Sequence, residues 1–172
     1  PQVTLHAALE QGPLTIVALG PLTNIASALN QRPDLAGRVG RLVAVMGRRP
    51  GHIFHPAEGA GRGMLFGHGP IFRDFNFSLD TDAVARVLAT GIPISFMPYD
   101  AARGIEITAE DLDRIDAVMP WLAQRSRGWL EYWRTDIGRA GFYPFDLLAA
   151  AYVLEPSWFR CRWMMALPLA TM

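Results

Sequence analysis

The feature that most constrains this chain is the alternation of short apolar runs with segments of helical period. Leu14-Thr15-Ile16-Val17-Ala18-Leu19 is one such run, the pattern expected of a strand buried on both faces of a parallel sheet. Gly20-Pro21 ends it, and Thr23 to Leu29 reads as a helix with Ile25, Ala26 and Leu29 on one face. Arg41 to Met46 is a second buried strand, stopped by Gly47. Thr81 to Ala89 is a helix whose polar start, Asp80-Thr81-Asp82, suits the capping of free N–H groups. Ile92 to Met97 is a third strand, weakened by Pro93 and closed by Pro98. From there the chain turns helical. Thr108-Ala109-Glu110-Asp111 opens one helix, and Pro120 stands early in the next, which runs through Trp121, Trp129, Tyr132 and Trp133. Phe145 to Leu154 is an apolar helix stopped by Pro156, and a last strand is predicted over Arg162 to Leu167. Strands alternating with helices predict an α/β fold, an open and mainly parallel sheet flanked by helices.

Composition narrows the function classes. Of the 172 residues, 51% are hydrophobic and 19% charged, enough for a real core and against disorder. Sixteen basic and sixteen acidic residues cancel, so the chain lacks the basic surplus of a nucleic-acid or membrane-surface binder. Every basic residue is arginine; without lysine, Schiff-base chemistry within this chain is excluded. Cys161 is the sole cysteine, so neither an intramolecular disulfide nor a thiolate metal cluster can form. With no signal-peptide pattern after Pro1 and no apolar run of membrane-spanning length, the expected setting is cytoplasmic. Pro1 at one end and the apolar stretch Trp163 to Leu169 near the other read as cut edges.

Four places can carry chemistry. The turn VALGPLTNIA joins a buried strand to a helix, at the strand edge where open α/β sheets bind ligands. Gly20 allows close approach there, and the Leu19 carbonyl is placed to face a ligand or ion. The alternative is a plain tight turn with Thr23 or Asn24 capping the helix. In Arg73-Asp74-Phe75-Asn76-Phe77, alternation puts Asp74 and Asn76 on one side of an extended segment. Carboxylate plus amide suits sugar hydroxyls; a loop-to-helix connection that satisfies its own backbone is the competing reading. Asp146 opens an apolar helix, where it gains from the helix dipole or points into a site that a metal ion would complete. The stretch 48–73 holds six glycines, three prolines and three histidines without a clear period, and so long a loop is usually functional. His52, His55 and Glu58 imitate a metal-ligand spacing but do not lie on a helix. His68 is the histidine retained as a candidate, and His6 reads as surface or packing. The aromatics from Trp121 to Trp133 have helical spacing and read as core.

Together these segments resemble the inosine–uridine preferring nucleoside hydrolase family. VALGPLTNIASAL is similar to the family's strand–turn–helix signature, LVAVMG to the following strand, RDFNFSLDTDAVARVL to an acid–aromatic–asparagine segment with its helix, and FDLLAAAYVLEPSWF to a late helix. The resemblance implies hydrolysis of the N-glycosidic bond of small-molecule ribonucleosides to base and ribose, with calcium as cofactor and no nucleic-acid or membrane partner; homo-oligomerisation stays open. It implies metal ligation by Asp146 and by the Leu19 backbone carbonyl. It further implies that Asn76 holds the sugar and that Asp74 stands in for a glutamate contacting the 5′-hydroxyl. His68 falls where an asparagine is usual, Met46 near the sugar pocket, and Phe145 where many members carry a histidine that can protonate the leaving base.

The family's aspartate-rich loop, Asp-x-Asp-x-Gly-x-Asp-Asp, does not occur in these 172 residues. That loop supplies the general base and most calcium carboxylates, so no catalytic base is assigned here and the expected one lies upstream of Pro1. Residues 1–172 are accordingly expected to form a single partial domain of this fold, inactive in isolation. The alternatives are a sugar-binding module without turnover and a truncated product with structural content only.

Overall fold

The computed structural model describes residues 2–47 and 74–162. Their elements alternate as α1 (Gln2–Gln11), β1 (Leu14–Ala18), α2 (Thr23–Gln31), β2 (Val39–Ala44), α3 (Phe75–Leu79), α4 (Thr81–Ala89) and β3 (Ile94–Phe96). Helices α5 (Tyr99–Ala102), α6 (Ala109–Asp116), α7 (Pro120–Tyr132) and α8 (Phe145–Leu154) follow. Three parallel strands form a sheet in the order β1-β2-β3, with Val17 opposite Val43 and Val43 opposite Ser95. No helix among the described residues is long and apolar enough to cross a membrane.

The chain divides into two compact units. The first comprises Pro1–Gly47, Phe75–Met97 and Asp146–Met172. Its core gathers Leu9 of α1, Ile25, Ala26 and Leu29 of α2, and Val84 and Val87 of α4 against Leu42 and Ala44 of β2. Residues 42 and 44 share one face of the strand because side chains alternate. The opposite face is covered by α8 over β2 and β3: Tyr152 Oη lies 3.3 Å from Ser95 Oγ, and the Arg41 guanidinium sits 5.6 Å from the centre of the Tyr152 ring. Val43, on that face, is fully buried. Over β1 the cover is lacking among the described residues. Thr15 is exposed and Val17 is 39% exposed, so β1 is buried on one face rather than the two that its apolar run predicts. An edge position explains this, since an apolar run states what a strand can bury but not which neighbours it meets.

Helix α1 joins this core through side-chain bonds to α2: Gln2 Nε2 donates to Ser27 Oγ at 2.8 Å, and His6 Nε2 lies 2.9 Å from the Ala28 carbonyl. Periodicity misses α1 because Leu9 is its one buried residue. Periodicity also misreads α3. Alternation predicts an extended Asp74–Phe77 with Asp74 and Asn76 on one side, whereas Phe75–Leu79 is helical, which turns residues two apart to different faces. The predicted strand over 162–167 lies outside the described residues, apart from Arg162, which is irregular.

The second unit comprises Arg48–Asp74 and Pro98–Phe145. The helix that Thr108-Ala109-Glu110-Asp111 opens is α6, and Thr108 and Asp111 form a capping box at its start. Arg127 of α7 bonds Asp113 of α6 at 2.8 Å. After Tyr132 the helix widens into a π-helical turn, Trp133–Ile137, ended by Gly138 at φ 74°, a left-handed conformation that glycine adopts without a steric penalty. Trp133 is 2% exposed, as expected of a core residue, but Trp121 and Trp129 are 60% and 47% exposed.

Candidate functional site

The carboxyl edge of the sheet is built from the ends of β1 and β2. The Ala18 carbonyl accepts from Val45 N at 2.9 Å, the last rung between these strands. Beyond it stand the carbonyls of Leu19 and Val45, and one side chain reaches both. Asn76 Nδ2 donates to the Val45 carbonyl at 2.7 Å and to the Leu19 carbonyl at 3.4 Å. The second bond is long and weak, and a carbonyl has two lone pairs, so Leu19 retains acceptor capacity for a ligand or cation. Sequence reasoning had singled out Leu19 and Asn76 separately; their contact, and the part played by Val45, come from the fold.

The helix starts next to this edge are tied together. Leu22 occupies the N-cap of α2 without a side-chain cap, so neither Thr23 nor Asn24 caps the helix. Thr23 Oγ1 donates instead to Asp80 Oδ2 at 2.6 Å, while Asp80 Oδ1 accepts from Ala83 N at 2.9 Å and caps α4. The Thr23 hydroxyl and then the Ala83 N–H hold the Asp80 carboxyl below its ordinary range.

Asp146 lies in the first turn of α8, in the same unit as Leu19 and Asn76. Its side chain is exposed at the helix start, and partial desolvation by the surrounding atoms raises its carboxyl above the ordinary value. Met46 is 3% exposed and packs in the core of this unit. In the second unit, Asp74 is half-buried immediately before α3. The Phe145 ring stacks on Tyr99 at 6.2 Å and 28° and meets Tyr143 edge-on at 6.1 Å. Trp133 joins this aromatic cluster, 4.9 Å from Tyr143, with its indole Nε1 buried and without a hydrogen-bond partner among the described residues. His52, His55, Glu58 and His68 lie outside the described residues. Among the described residues, no group of three or more His, Cys, Asp or Glu side chains could hold a metal ion. An open apolar groove lined by Ile115, Val118, Met119 and Leu122, with Arg114 at its side, carries no group suited to catalysis.

Comparison with known proteins gives a consistent picture. The family model described as inosine-uridine preferring nucleoside hydrolase matches residues 2–168. A non-specific ribonucleoside hydrolase, RihC, of Klebsiella pneumoniae is 30% identical over 92% of this chain and 46% of its own length. A pyrimidine-specific ribonucleoside hydrolase, RihA, of Citrobacter koseri is 30% identical over 88% of this chain and 46% of its own. The chain thus spans less than half the length of these relatives. In structure it is similar to a plant nucleoside hydrolase, with a TM-score of 0.72 at 23% identity over 91% of this chain and 46% of that one. A purine-preferring ribonucleoside hydrolase from Gardnerella vaginalis gives a TM-score of 0.70 at 23% identity, over 91% of this chain and 47% of that one.

Proposed function

The chain belongs to the inosine-uridine preferring nucleoside hydrolase family, and from that premise we propose that it is part of a calcium-dependent N-ribosyl hydrolase acting on small-molecule ribonucleosides. The observation that carries the reading is the strand edge itself: a Leu19 carbonyl past the last ladder rung, in the unit that also holds Asp146 at the start of α8. Both are hard oxygen ligands, the chemistry calcium takes. They fit the ion in part, because calcium takes six to eight oxygens, and the other carboxylates must come from residues outside this set. When bound, the ion supplies Lewis acidity that makes water a better nucleophile near neutral pH.

The chain's own residues would hold and surround the sugar. Asn76 meets a ribose hydroxyl through its amide. Negative charge from Asp146 near the sugar favours an oxocarbenium-like transition state. Phe145 offers its ring to the base and keeps water from it. The alternative, a sugar-binding module without turnover, draws on one sequence fact, that no aspartate-rich motif occurs in the 172 residues.

Reducing-sugar release from inosine and uridine tests the proposal. The 172-residue chain alone is expected to be inactive, for want of calcium ligands and a general base. A longer protein that joins it to an aspartate-rich loop is expected to turn over and to stop when calcium is chelated. A longer protein that binds ribose without turnover would favour the binding module. Turnover by the purified short chain that vanishes in Asp146→Ala would refute the ligand argument.

A further inference from the structure

Residues 138–144 lead from the left-handed Gly138 into Phe145, and a short seam fastens them to residues 106 and 107. The Ile107 N–H donates to the Phe142 carbonyl at 2.9 Å, and the Phe142 N–H donates to the Ile107 carbonyl at 3.0 Å. Two bonds within one residue pair define an axis about which the segment can still pivot. The Glu106 side chain supplies contacts off that axis. Its Oε1 accepts from the Gly141 N–H at 2.9 Å, and its Oε2 lies 3.5 Å from the Arg139 guanidinium. That guanidinium stands 5.3 Å from the centre of the Tyr143 ring, a cation over an aromatic face. Tyr143 is 4% exposed and meets the Phe145 ring edge-on at 6.1 Å. One carboxylate therefore holds the segment at residues 139 and 141, and through Arg139 it bears on the ring beside Phe145.

Building on the reading in which Phe145 meets the base, we infer that Glu106 is a positioning residue for base recognition. Its bond to Gly141 stops the 138–144 segment from pivoting, so the Phe145 ring is held in one orientation before the base arrives. A ligand binds only the fraction of molecules in the competent arrangement, and its apparent affinity falls with that fraction. The Gly141 bond is the main holding point, because it is short and ends on rigid backbone. The Arg139 pair is long and its partners are 28% and 31% exposed, which leaves it a smaller share. Glu106 transfers no proton in this role; it acts through Gly141 and Arg139.

Hypoxanthine, the base of inosine, is the probe, titrated into the 172-residue chain with isotope-labelled phenylalanine and followed by nuclear magnetic resonance. In the parent chain the Phe145 ring signal should be displaced by its aromatic neighbours and should move as the base is added. Glu106→Ala should return that signal toward its position in an unstructured peptide and weaken hypoxanthine binding roughly fivefold. The Ile107 and Phe142 amides should stay protected from hydrogen exchange in the same variant. Glu106→Gln keeps an acceptor for the Gly141 N–H and should match the parent within about twofold. A Glu106→Ala chain with the parent's ring signal and affinity would overturn the inference and leave the hydrolase reading standing. So would a Glu106→Gln chain as impaired as Glu106→Ala, or protection at Ile107 and Phe142 lost in step with the ring, which would make Glu106 a general prop of this unit. A Phe145 signal that answers to Glu106→Ala but that hypoxanthine never moves would instead overturn the base role of Phe145, and with it this role of Glu106.

Discussion

The Thr23 hydroxyl lies 2.6 Å from Asp80 Oδ2, joining the starts of two helices that are 57 residues apart in sequence. The bond makes Asp80 serve two helices: it caps α4 through Ala83 N and satisfies a threonine at the start of α2. Because these bonds favour the carboxylate, its folded pKa is depressed. The stabilisation is therefore present above the unfolded value, about 3.9, and is lost as pH falls through the folded one. Thr23→Val should cost about 1 kcal/mol near neutral pH, and Asp80→Ala about 1 kcal/mol for the lost cap. Urea unfolding at pH 7 and below pH 3 checks this, and a Thr23→Val penalty that is the same at both would show that the carboxylate is not its source.

Gly141 is held where no side chain fits. Its N–H donates to Glu106 Oε1 at 2.9 Å, and a Cβ at this position would collide with the Ile107 carbonyl oxygen and lie 2.7 Å from Glu106 Cγ. The backbone obstacle cannot rotate away. Gly141→Ala should therefore destabilise the chain by about 1–3 kcal/mol through loss of the Ile107–Phe142 bridge. Unfolding of Gly141→Ala beside Gly37→Ala, where a Cβ meets nothing within 4 Å, separates the clash from the general effect of adding a methyl group.

Asp146 gives a prediction whose sign depends on the ion. Its carboxyl is raised by desolvation, so in the metal-free chain the charged form is a burden above the folded pKa. Asp146→Asn should then raise Tm in EDTA at neutral pH, and the gain should fade as pH falls and the native carboxyl protonates. In a longer protein with the remaining ligands, the same substitution should weaken calcium binding on the order of tenfold or more. Calorimetric titration reads the second effect; unchanged affinity would reduce Asp146 to a helix-start residue.

Phe145 bears on leaving-group chemistry. Its ring lies among Tyr99, Tyr143 and Trp133 and cannot donate a proton. A positioned general acid contributes about 10²–10⁴-fold, so a complete enzyme without one here should cleave p-nitrophenyl riboside far faster than inosine. Phe145→His should narrow that gap. Equal rates on the two substrates, unmoved by the substitution, would mean that another group protonates the base, with His68 the first to replace.

The local elements were legible in the sequence wherever their signals were local. Helices Thr81–Ala89 and Phe145–Leu154 have the ends that their caps and prolines predict, because capping and proline geometry act within a few residues. The helix start at Thr108 and the parallel strands followed in the same way. What escaped was short or non-periodic: α3, whose alternating polar and aromatic residues imitate a strand, and α1, whose pattern lacks a clear buried face.

By itself the sequence determined the alternation of strands and helices, the family signatures, and the candidacy of Leu19, Asn76 and Asp146. Only the tertiary structure decided that one face of β1 is bare among the described residues, that Asp80 serves α2 as well as α4, and that Asn76 turns its nitrogen to Leu19 and Val45. The reason is physical. Propensity and capping are settled among neighbours in the chain, whereas a carbonyl past the end of a strand takes whichever donor the packing of distant segments brings to it, here from 57 and 31 residues away.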